Sequence, residues 1–97
     1  MIDLPTHVEH HLERLAQELR SYGTLESRIV RRADAPPYLR VASREAPGLT
    51  EFITCDTTAA DGTVAYMWSW GQEIAGATLT AKARSIAYVL QADPRRR

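Results

Sequence analysis

The chain reads as an α+β domain: an N-terminal helix, an antiparallel sheet of three to four strands and a C-terminal helix, with both helices on one face of the sheet. Three observations predict this. Apolar residues recur at helical spacing only near the two ends. Between them, short runs alternate apolar and polar residues, the period of a half-buried strand. Turn-forming clusters, "ADAPP", "REAPG" and "TAADG", separate those runs at hairpin distances.

The first helix is announced by Thr6-His7-Val8-Glu9, which has the form of a capping box, with Pro5 just before it. Val8, Leu12, Leu15, Ala16, Leu19 and Tyr22 then share one face, and Gly23 stands where a helix-terminating glycine belongs. "TLESRIVRR" and "YLRVAS" read as the first two strands, separated by Pro36 and Pro37, which cannot sit inside a ladder. "LTEFITCDT" is the third. Asp61-Gly62 is a hairpin signal, and "TVAYMWSW" is the fourth strand, stopped by Gly71. In the last segment Leu79, Ala83, Ile86, Ala87 and Leu90 make a second amphipathic helix, with Thr78 or Thr80 as its cap and Asp93-Pro94 as its stop. Residues 1–92 are expected to form one domain, and 93–97 a disordered basic tail.

Composition narrows the function classes. The chain has 97 residues and a formal net charge of zero, which argues against generic nucleic-acid binding. A domain of this size buries only about 60–65% of its unfolded surface, so dimerisation is a natural supplement. The single cysteine, Cys55, allows no internal disulfide, the N-terminus has no signal-peptide pattern, and no run is long and apolar enough to span a membrane. A cytoplasmic location is expected. Arginine far outnumbers lysine and alanine is abundant, the composition of a GC-rich bacterial genome.

The charges are unevenly spread. Residues 28–44 hold Arg28, Arg31, Arg32, Arg40 and Arg44 against Asp34 alone, while residues 45–76 hold acids and no Lys or Arg. Either the basic strands lie beside the acidic ones and pair with them across the sheet, or the arginines form a patch for an acidic partner.

The stripe Tyr66, Trp68, Trp70 raises the main question of the sheet. One arrangement gathers Leu39, Val41, Ile53, Cys55, Ala65 and Met67 beneath the helices and leaves Tyr38, Phe52, Tyr66, Trp68 and Trp70 side by side on the reverse. The other makes Val64, Tyr66, Trp68 and Trp70 the core face. An exposed aromatic face of that size implies a partner. No chemistry competes with it. "HVEHH" places His7 and His11 at a metal-binding i, i+4 spacing, but the glutamate is misplaced for a zincin and no histidine outside this segment exists to serve as a third ligand. Cys55, mid-strand beside Ile53, reads as an inert thiol. No phosphate loop or nucleophile elbow is present, so no enzyme, metal or cofactor is expected.

Leu39, Val41, Pro47, Leu49, Trp68, Ser69, Trp70, Gly71 and Ile74 together resemble a group of small uncharacterised bacterial proteins with an L-x-V strand, a P-x-L turn and a W-S-W-G-x-x-I segment before an Ala-rich helix. The helix–sheet–helix order is also similar to small secretion-chaperone-like folds, which act by dimerising and gripping partner segments. That likeness implies a non-enzymatic interaction, adaptor or chaperone-like module. On this reading it binds a protein partner, or itself as a homodimer, through Tyr38, Phe52, Tyr66, Trp68 and Trp70. Arg28, Arg31, Arg32 and Arg40 form the charged rim. The alternative is a small-molecule-binding domain or minor enzyme with a pocket between sheet and helices.

Overall fold

The computed structural model describes residues 4–46, 48–57 and 63–90, with side chains from Val8 onward. It contains α1 (Leu4–Leu19), β1 (Leu25–Val30), β2 (Tyr38–Ser43), β3 (Thr50–Asp56), β4 (Ala65–Trp68) and α2 (Leu79–Leu90). The four strands form one antiparallel sheet in the order β1-β2-β3-β4, and both helices pack on it, an α+β fold. Consecutive strands are neighbours because short loops can join antiparallel partners directly.

The core is a single cluster. Val8, Leu12, Leu15, Ala16 and Leu19 of α1 meet Ala83, Ile86, Ala87 and Leu90 of α2 over Leu25, Leu39, Val41 and Ile53 of the sheet. The helical stripes come from the spacing read in the sequence. The boundaries moved, however. Leu4 begins α1, so Thr6 lies inside the first turn rather than at its cap, and Pro5 occupies a first-turn position where a missing N–H costs nothing. Helical bonding ends with Arg20 N–H on Ala16 O at 3.1 Å, and Gly23 lies beyond it without adopting a left-handed conformation. For α2 the cap is Thr78: its Oγ1 accepts the Ala81 N–H at 3.1 Å. Asp61-Gly62 and the 93–97 tail fall outside the described residues.

The registers decide the faces. Ile29 pairs with Leu39, Leu39 with Ile53, Ile53 with Trp68, and Cys55 with Tyr66. Directly paired residues share a face, so Tyr66 and Trp68 lie with Leu39, Val41 and Ile53 beneath the helices, where both are buried. The arrangement that put Tyr66 and Trp68 beside Tyr38 and Phe52 is therefore corrected. Ala65 and Met67, which that arrangement placed in the core, stand on the reverse face with Thr54, as the other arrangement has them. Both patterns alternate perfectly in the sequence; only the pairing of β4 with β3 says which set turns inward.

Candidate functional site

Two surfaces collect the residues that the sequence singled out. The first is the sheet face away from the helices. Glu26, Arg28, Val30, Tyr38, Arg40, Phe52, Thr54 and Met67 project from it, by alternation from the buried positions. Tyr38 and Phe52 meet edge to face with ring centroids 5.1 Å apart. Phe52 is 39% exposed. The Arg32 guanidinium lies 4.8 Å from the Tyr38 ring centroid and is anchored by Nε donating to Pro36 O at 2.9 Å. Arg40 sits directly opposite Phe52 on one side and Arg28 on the other.

The arginines are thus sorted differently from the expected basic-against-acidic pairing. The two basic strands are neighbours, and Arg28 faces Arg40, a like-charge pair that costs stability. Arg31 leaves this face altogether and pairs with Glu9 of α1. Arg44 reaches Leu25 O from Nε at 3.4 Å. Of the expected rim, Arg28, Arg32 and Arg40 remain with Tyr38 and Phe52.

The second surface is built by the tryptophan segment. Trp68 O accepts the Gly71 N–H at 2.9 Å, Trp68 N–H reaches Gln72 O at 2.8 Å, and Ile74 N–H reaches Tyr66 O at 2.8 Å. Gly71 has φ +95°, a left-handed value that side chains disfavour. "WSWG" is therefore a tight hairpin turn ending in a left-handed glycine, and residues 72–74 fold back along the outer edge of β4. The turn brings Trp70 over Trp68, with centroids 5.0 Å apart and planes within 4°. Trp68 is buried, whereas Trp70 is 55% exposed and donates from Nε1 to Gln72 Oε1 at 3.0 Å. Between this hairpin and α2 opens a cleft of about 390 Å³, walled by Trp68, Glu73, Arg84, Tyr88 and Val89. Of these, only Trp68 was anticipated. The exposed apolar pair Tyr88 and Val89, on the helix face opposite Ala83 and Ile86, was the available signal.

Tyr66, assigned to a binding surface from sequence, instead ties the sheet to α1: its hydroxyl donates to His11 O at 3.0 Å. Burial pushes its phenol up to about 12. Cys55, half-buried beside it, is pushed up to about 12 as well, by burial first and by the neighbouring Asp56 charge second. A thiol held neutral so far above physiological pH is a poor nucleophile. Among the described residues no three His, Cys, Asp or Glu side chains converge as metal ligands.

Comparison with protein-family models, with curated proteins and with solved structures found no match. The functional reading therefore stands on the two surfaces themselves.

Proposed function

We propose that the protein is a non-catalytic interaction module whose open sheet face holds an acidic segment of a protein partner. The observation that carries this reading is the Tyr38–Phe52 pair flanked by Arg40 and Arg28. Aromatic rings and arginine are the residue types that anchor protein interfaces. Arg28 and Arg40 oppose each other at a cost to the fold, and an incoming carboxylate would offset that repulsion. The face is locally basic in a chain of zero net charge, which suits a short acidic segment better than a nucleic-acid backbone.

Fluorescence polarisation tests it, using labelled peptides of alternating glutamate and leucine, a glutamine-for-glutamate control, and a single-stranded oligonucleotide. The acidic peptide should bind in a salt-sensitive manner. Arg40→Glu and Phe52→Ser should each weaken it by about tenfold or more while leaving the melting temperature within a few degrees. Binding that ignores both substitutions, or that favours the oligonucleotide, refutes the reading.

The cleft between the tryptophan hairpin and α2 supports a second reading, a small-molecule site, since about 390 Å³ lies within the range of ligand pockets. Native mass spectrometry of freshly purified protein would show a retained mass that Tyr88→Ala removes.

A further inference from the structure

We infer that two copies of this chain join through their β1 strands, edge to edge and antiparallel, with Ser27 of each copy opposite Ser27 of the other. The two edges of the sheet are treated differently. At β4 the outward C=O of Tyr66 and N–H of Trp68 are taken by the returning segment, through Ile74 N–H and Gln72 O, and the Trp68 C=O by Gly71 N–H in the turn. At β1 the parity of the ladder shows which groups face out. Arg44 N–H bonds Thr24 O at 2.8 Å, and Ser43 N–H bonds Leu49 O in the opposite direction at 3.0 Å. Thr24, Glu26, Arg28 and Val30 therefore bond toward β2, and Leu25, Ser27 and Ile29 turn their backbone groups away from it. Leu25 is satisfied locally, its N–H on Tyr22 O at 2.9 Å and its carbonyl reached by Arg44. Among the described residues, the outward N–H and C=O of Ser27 and Ile29 have no protein partner. This is an open edge, and β1 carries no proline, bulge or lysine to blunt it.

Charge selects the occupant and the register. Centring the pair on Ser27 sets Glu26 opposite Arg28 of the second copy, and Arg28 opposite its Glu26. These are non-hydrogen-bonded positions, where side chains lie closest. Leu25 and Ile29 meet on the helix-covered side. Sliding by one step in either direction sets Glu26 against Glu26 or Arg28 against Arg28, so the two neighbouring registers are penalised. β1 is thus complementary to itself in the register that pairs the free N–H and C=O of Ser27 with those of the second Ser27 and turns the Ile29 N–H toward the second copy's Leu25 carbonyl. The result is a continuous sheet with four strands from each copy, helices on one side and both open faces on the other. Arg28 is shared with the reading above: in the dimer it pairs with the second copy's Glu26, and Arg40 and Arg32 are left to hold the acidic segment, so sedimentation reads the dimer and peptide binding by the Arg40→Glu and Phe52→Ser variants reads the acidic site.

Sedimentation equilibrium on the full chain tests it, with amide exchange on the same samples. Wild type should show a monomer–dimer equilibrium, with the Ser27 and Ile29 amides protected only at high concentration. Ser27→Pro removes an N–H that the ladder to β2 does not use, so it should abolish the dimer and leave the monomer folded. Arg28→Glu should weaken dimerisation by about tenfold or more. The exchange Glu26→Arg with Arg28→Glu should restore it, because the pairs are rebuilt with reversed signs. A wild type that stays monomeric at near-millimolar concentration overturns the inference, and so does a dimer indifferent to Ser27→Pro and Arg28→Glu. A double variant that fails to recover overturns the register.

Discussion

Trp68 and Trp70 are two residues apart, identical in chemistry and stacked on each other, yet their surroundings differ. Trp68 pairs with Ile53 under the helices, and the chain turns immediately after it, so Trp70 no longer follows the strand's alternation. Its indole ends over the Trp68 ring with its outer face in solvent. Acrylamide quenching of the native protein should therefore resolve two emitters, one protected and one accessible. Trp70→Phe should remove the accessible component and leave a blue-shifted, poorly quenched signal. A single accessible population in that variant would contradict the burial of Trp68. The stripe Tyr66, Trp68, Trp70 was legible in the sequence, but its direction was not. An alternating pattern fixes that two faces exist, and the identity of the buried one is a property of the neighbouring strand.

At the scale of elements, the helices and strands follow from local patterns, and their ends follow from contacts across the fold. β2 matches its sequence expectation residue for residue, because prolines and a turn close it on both sides. β4 is shorter than its apolar run, because the turn at Ser69 and Trp70 cuts it. The approach to α2 shows the same dependence. Gly76 has φ +136°, and a Cβ there would stand 2.7 Å from the Lys82 backbone nitrogen. The Lys82 ammonium donates to Gly76 O at 2.8 Å, and Thr78 caps the helix just beyond. A side chain at position 76 has both the wrong backbone region and no space. Gly76→Ala should cost about 2–4 kcal/mol, above the ordinary single-substitution effect. Urea unfolding measures it, and a change below about 1 kcal/mol would mean that the segment relaxes freely. In the sequence, Gly76 is one more glycine in "AGAT"; its constraint exists only once α2 has docked.

For the whole molecule, the core sets a pH window. The folded state holds Cys55, whose ordinary value is 9.0, and Tyr66, whose ordinary value is 10.0, each at about 12. Both are raised in the folded state and regain their ordinary values on unfolding. Above pH 9 the unfolded chain therefore releases protons that the folded chain retains. The stability from these two groups is complete below pH 9 and declines as pH rises toward 12. Urea midpoints should fall through that range, and the fall should be shallower in Tyr66→Phe. A Tyr66→Phe profile as steep as wild type would show that the phenol is not titrating from a buried site.

Taken by itself, the sequence determined the fold class, the order of helix, antiparallel strands and helix, and the helical side of the core, because helical and strand periods are local and each helix carries one apolar stripe. It also marked Tyr38 and Phe52 as partners on one face. Tertiary structure alone decided that Tyr66 and Trp68 turn inward, that Arg28 meets Arg40 rather than an acid, that Arg31 crosses to Glu9, and that the β4 edge is closed while the β1 edge is open. Each of these depends on strand register and chain return. Register is set by pairing between distant residues, and a shift of one position reverses every side chain, so no local pattern in a single strand can encode it.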